Sequence, residues 1–148
     1  MGNVYAEITL KNANDAYNAR QGLIRDKEIR NIEITAMVDT GAMTLIISEE
    51  LRQQLGLGIH DLREVTLAND ESEVARVTEP VEIIWKDRSF IGQAWVISGW
   101  GEPLLGLLPL EYMDLMVDPV HRTLVGIHGE HPIGLAKTCC INAIFHDI

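Results

Sequence analysis

Short aliphatic runs with a period of two, each cut off by a polar turn, fill most of this chain, and a sheet is the structure that buries them. Val4, Ala6, Ile8 and Leu10 alternate with polar neighbours, and Ile29, Ile32, Ile34, Ala36 and Val38 form a second strand-like segment. From Val65 to Ile97 strand follows strand. Val65 and Leu67 approach a polar turn at Asn69-Asp70-Glu71-Ser72, and Val74 and Val77 leave it. Val81, Ile83 and Trp85 come next, then a turn at Lys86-Asp87-Arg88 and a strand from Phe90 to Ile97. Leu115, Val117 and residues 124–127 read as two strands around Asp118-Pro119. Two short helices interrupt this pattern. Ser48 is suited to cap one of them, with Glu49 and Glu50 at the positive end of its dipole, and Gly56 or Gly58 ends it. Pro109 suits the first turn of the other, over Leu110 to Met113. Residues 11–27 are mixed and polar and read as a loop, while 128–148 have no regular pattern. The whole reads as one mostly-β domain without repeat or linker.

A length of 148 residues suits one domain with a sizeable core. Aromatic residues make up only 5%, so aliphatic side chains must fill that core. Twelve Lys and Arg stand against 22 Asp and Glu, a formal charge of −10. This balance argues against a nucleic-acid backbone or an anionic membrane as partner. No apolar run approaches the ~18 residues of a membrane span, and the first residues have no secretory pattern. A cytoplasmic location is the default expectation. The two cysteines, Cys139 and Cys140, are adjacent and cannot staple a fold.

Chemistry concentrates in residues 36–47, where Asp39-Thr40-Gly41 separates Ala36-Met37-Val38 from an apolar stretch ending in Leu45-Ile46-Ile47. Asp, Thr and Gly are ordinary turn residues, but a surface turn seldom sits between two runs that both want burial. A carboxylate there loses hydration and needs hydrogen-bond donors. Thr40 offers a hydroxyl, and Gly41 lets the backbone turn tightly with its amide close to the carboxylate. Such a loop would hold an acid rigidly at the bottom of a cleft.

Val38-Asp39-Thr40-Gly41-Ala42 resembles the active-site loop of retropepsin-like (clan AA) aspartic proteases. Leu104-Leu105-Gly106, about 65 residues further on and ahead of a short helix, resembles the second signature of that fold. Glu111, Asp114, Val117-Asp118-Pro119 and the opening Val4-Tyr5-Ala6-Glu7-Ile8 are similar to stand-alone bacterial members. The resemblance implies a retropepsin-like acid-protease half-barrel over residues 1–136, with one or two short helices, forming a homodimer. Residues 137–148 are left as a tail of unknown structure. It further implies an aspartic endopeptidase acting on a peptide or protein substrate, with Asp39 catalytic and without metal or cofactor. Thr40 would bond across the dimer interface, Gly41 would offer a backbone acceptor to the peptide, and Leu104, Leu105 and Gly106 would support the loop. Asn69, Asp70, Glu71 and Ser72 would form the tip of a flap. A single Asp-Thr-Gly occurs in the sequence, so the usual pair of carboxylates requires a second copy of the chain.

Three departures stand out. Flaps of this family are usually glycine-rich, whereas residues 69–72 contain no glycine and two acids. Met43 stands where viral members often have an acid, and Leu107 where many have Arg. Subsite preferences are therefore not carried over. The rival from another class is a retropepsin-fold dimer that binds peptides and hydrolyses little or nothing. A zinc site drawn from His121, His128, His131, Cys139, Cys140 and His146 lacks the spaced ligand pairs such sites use. Trp85, Trp95 and Trp100 read as core or interface residues rather than ligand platforms.

Overall fold

The computed structural model describes residues 2–134. Strand β1 (Val4–Asn12) is the spine of the first half of the chain, with Val4, Ala6, Ile8 and Leu10 all turned inward. It pairs antiparallel with β2 (Asn31–Val38), from Val4 opposite Val38 to Lys11 opposite Asn31. Its other edge takes β6 (Val81–Trp85), which in turn pairs with β7 (Arg88–Gly92). The period-two burial of β1 and β6 is the pattern that a sheet with one covered face requires.

On the far side of β2 the strands shorten and change partners. These are β3 (Ile46–Ile47), β8 (Trp95–Val96) and β9 (Leu104–Leu105). A long hairpin follows, β4 (Ile59–Thr66) with β5 (Ser72–Thr78), and completes a nine-stranded sheet in the order β4-β5-β8-β3-β9-β2-β1-β6-β7. Strands β10 (Leu115–Asp118) and β11 (Thr123–Gly126) form a separate two-stranded ribbon. Curled on itself, the sheet encloses a core of Leu10, Leu45, Ile47, Leu55, Ile83, Leu105 and their neighbours. Side chains of this size, fully buried, contribute about 1.5–3 kcal/mol each. A smaller cluster of Ile46, Val65, Ala75, Ile97 and Leu104 lies under the β4–β5 hairpin.

Three helices close the ends. Helix α2 (Glu49–Leu55) starts where the Ser48 hydroxyl accepts the Leu51 amide and stops at Gly56, whose φ of 63° is the left-handed stop expected of glycine. Helix α3 (Leu107–Tyr112) begins three residues earlier than Leu110, directly after β9, with Pro109 still inside its first turn. Helix α1 (Ala13–Arg20) replaces the loop expected over residues 11–27. Asn12 caps it by accepting the Asp15 amide while donating to the Leu55 carbonyl at 2.9 Å. The buried Asp15 takes three hydrogen bonds from Arg30, one from its amide and two from its guanidinium. The strand expected from Phe90 to Ile97 is two strands, because the chain leaves β6 after Gly92 and crosses to β3 and β5.

Arg88 is buried and ties β7 to the segment before β10. Its guanidinium donates to the carbonyls of Met113 (2.8 Å), Asp114 (2.9 Å) and Gly129.

Candidate active site

Asp39 follows the last residue of β2, and its position is set by a strand that arrives from the other half of the sequence. Strand β9 runs parallel to β2, with Met37 opposite Leu104 and Val38 opposite Leu105, and antiparallel to β3 at Ile46. The Asp39 amide donates to the Leu105 carbonyl at 3.0 Å. Leaving β9, the amides of Leu107 and Leu108 donate to the carbonyls of Ala42 (2.8 Å) and Met43 (2.9 Å). Gly106 thus passes directly beneath the loop. A Cβ on it would meet the Thr44 carbonyl oxygen at 2.3 Å and the Ala42 carbonyl oxygen at 2.6 Å, so this position has no room for a side chain.

Within the loop the Gly41 amide donates to Asp39 Oδ1 at 2.9 Å, and the Ala42 amide to the Asp39 carbonyl at 3.1 Å. A Cβ on Gly41 would lie 3.1 Å from Asp39 Oδ1, tighter than ordinary contact. The far side of the loop is pinned where the buried Thr44 hydroxyl donates to the Gln93 carbonyl at 3.1 Å and the Leu45 carbonyl accepts the Trp95 amide. One carboxylate is thereby held by its own backbone turn, on a base of two short strands.

Asp39 itself is half-buried rather than enclosed, and Thr40 and Gly41 are exposed. The apolar flanks bury themselves: Leu45 and Ile47 are fully inside, while the acid stands at their rim. Met43, which lines the same cavity as Asp39, and Leu108, whose amide bonds to the Met43 carbonyl, are 47% and 45% exposed.

Above the loop lies a cavity of about 860 Å³ roofed by the β4–β5 hairpin. Asp39, Gly41, Ala42 and Met43 line one side, and the hairpin contributes residues 63–70, which include Asn69 and Asp70. The glycine-free tip makes its turn with Asp70 in the left-handed region at φ 64°, a conformation that Asp and Asn tolerate better than other side chains. Asn69 assists by accepting the Glu71 amide at 3.1 Å, and the Leu67 amide donates to the Glu71 carbonyl at 2.9 Å. The base of the hairpin is anchored from outside, where Arg76 on β5 donates to Glu49 of α2 at 2.6 Å. Arg52 also binds Glu49, and these hydrogen bonds, with those from Arg76, hold its carboxyl down to about 2.

Trp95 and Trp100 pack, partly buried, against the smaller core cluster and also line the cavity, while Trp85 is buried in the main core. Arg63 also reaches the cavity. The signal that could have found it is its even spacing, two and four residues, from Val65 and Leu67. Of the residues weighed as zinc ligands, His121 bonds to Asp118 and His128 to Asp114, and no metal-holding group of three occurs among the described residues. Cys139, Cys140 and His146 lie outside the described residues, as does the tail from 137 to 148.

A curled β half-barrel, with an Asp-Thr-Gly loop supported by a Leu-Leu-Gly strand and roofed by a hairpin, defines the retropepsin-like class of acid-protease folds. The family model "Aspartyl protease" matches residues 26–106, more than half of the chain and a span containing both signatures, and the chain belongs to that family. Among solved structures, a retropepsin-like aspartic protease from Rickettsia conorii is similar, at 22% identity and a TM-score of 0.51. The match covers 79% of this chain and 85% of that one, and at this identity it speaks for the fold. No curated protein matches the chain. No helix among the described residues is long and apolar enough to cross a membrane.

Proposed function

We propose that this chain is an aspartic endopeptidase that hydrolyses peptide bonds as a homodimer, with the Asp39 carboxylates of two copies sharing one site. The observation that carries this reading is the rigid presentation of a single half-exposed carboxylate, fixed by the Gly41 amide, at the mouth of a hairpin-roofed groove. One carboxylate cannot both activate water and protonate the substrate. Two at short range share a proton, since like charges that close cannot both ionise. The exposed Thr40, Met43 and Leu108 around Asp39 form the surface on which a second copy would close about a two-fold axis, burying apolar area now open.

In the proposed reaction the ionised Asp39 takes a proton from water as its oxygen attacks the peptide carbonyl carbon. The protonated Asp39 of the other copy gives its proton to the carbonyl oxygen, forming a geminal diol. The first Asp39 then gives its proton to the nitrogen while the other copy's Asp39 takes one back from a diol hydroxyl, so that the C–N bond breaks and a carboxylic acid and an amine are released. Thr40 would bond across the interface, Gly41 would receive the peptide backbone, Leu104-Leu105-Gly106 would hold the loop, and residues 69–72 would close over the substrate. The medium is expected to be cytoplasmic, and no metal or cofactor takes part in the scheme.

The test is digestion of a peptide library by wild type and by Asp39→Asn, read by mass spectrometry, alongside sedimentation of both. Cleavage by wild type alone, from a species that sediments as a dimer, is the expected result. Turnover that persists in Asp39→Asn, or that belongs to the monomer, would sink the assignment. A peptide-retaining but uncleaving wild type would favour the binding-module reading instead.

A further inference from the structure

The inner face of the β4–β5 hairpin carries Arg63, Val65 and Leu67 at alternate positions. Val65 is buried, and Arg63 stands opposite Ala75, which is fully buried. Period-two geometry therefore directs the Arg63 side chain to the same inner side. Its guanidinium carbon lies 5.7 Å from the ring centroid of Trp95, on the neighbouring strand β8. Arg63 and Trp95 line the cavity that also holds Asp39.

The other charged residues lining that cavity, Asp39, Glu64 and Asp70, are acids, so Arg63 is its only cation among the described residues. None of the ion pairs among the described residues includes Arg63. Glu73 is its diagonal neighbour across the hairpin, two positions from Ala75, and does not pair with it either. A guanidinium laid on an aromatic face keeps its edge donors available, and that edge matches a carboxylate in bidentate geometry.

We propose that Arg63 and Trp95 form a subsite for an acidic side chain, Asp or Glu, of the bound peptide. The ring face is already occupied by the guanidinium, so a second aromatic group would have to displace it. The surrounding carboxylates repel acids elsewhere in the groove, which confines the preference to one position of the peptide. This inference rests on reading the groove as a peptide site, and its test is separable from hydrolysis because it measures retention.

Purified Asp39→Asn protein is applied at low salt to an array of peptides in which single positions are varied. At one position Asp and Glu should be retained about tenfold more tightly than Asn and Gln, and added salt should erode the difference. Arg63→Gln in the same background should erase that preference, and Arg63→Glu should replace it with one for Lys and Arg. Circular dichroism checks that the exposed substitution leaves the fold intact. An array without acid preference, without any retained peptide, or with a preference that survives Arg63→Gln overturns the subsite. If wild type fails to cleave the same peptides while the array preference stands, the protease reading alone is lost.

Discussion

Gly106 offers the sharpest test of how the candidate active site is held. Its backbone angles, φ −96° and ψ −168°, suit any residue, so only contact forbids a side chain there. In Gly106→Ala the new methyl would sit 2.3 Å from the Thr44 carbonyl oxygen and 2.7 Å from the Thr44 amide nitrogen. Both are backbone atoms of a segment pinned on two sides, so β9 and the loop must separate by roughly 1 Å to restore ordinary contact. The hydrogen bonds from the Leu107 and Leu108 amides, at 2.8 and 2.9 Å, do not survive such a shift. Losing two bonds at about 1 kcal/mol each, with about 1–3 kcal/mol of overpacking, destabilises the protein by about 3–5 kcal/mol. Urea unfolding at fixed protomer concentration should register this as a midpoint lowered by at least about 1 M. Gly101 provides the control: nothing lies within 4 Å of its virtual Cβ, so Gly101→Ala should move stability by no more than about 0.5 kcal/mol. A Gly106→Ala protein within about 1 kcal/mol of wild type would refute the claim that β9 and the acid loop are in backbone contact.

Glu49, held at about 2 chiefly by Arg52, contributes stability that is present above its ordinary 4.5 and fades as pH falls from there towards 2. The stability gap between wild type and Glu49→Gln should therefore shrink between pH 5 and pH 2.5, and a gap independent of pH would exclude the ion pairs as its source. Arg88→Met keeps the apolar stem but leaves the carbonyls of Met113, Asp114 and Gly129 without their donor, so a loss of about 3 kcal/mol is expected in chemical denaturation. Asp15→Ala removes the acceptor of three Arg30 hydrogen bonds, and amide exchange should quicken across Ala13–Arg20 while β1 keeps its protection. Equal loss of protection in both segments would show α1 to be part of the global unfolding unit.

The strands were legible wherever one face is covered, as in β1 and β6, because burial imposes a period of two that composition records directly. Helix α2 was legible for the same reason: its cap, its acidic first turn and its terminal glycine are all local. Helix α1 was not, since only Ala13, Asp15 and Ala16 of its residues are buried and its anchor, Arg30, lies fifteen residues away. The residues of the Asp39 loop and of its supporting strand could be read, because two local signatures mark them. How far the acid is exposed could not, since the apolar flanks bury themselves without it. The tip of the β4–β5 hairpin shows a limit of composition: the turn needs one left-handed residue, and Asp70 fills that need without glycine. Arg63 and Trp95 meet only when β4, β5 and β8 assemble, a contact between distant segments that no local pattern announces.

The insertion of β9 between β2 and β3 also fixes when the Asp39 loop can first take its shape. During synthesis Asp39 leaves the ribosome long before Leu104–Gly106 exist, and until they arrive its loop has neither a neighbour to align it nor a floor to rest on. Such pairing of sequence-distant segments is closed late and slowly. A nascent or truncated chain therefore carries Asp39 without the geometry that holds it, a delay written into topology.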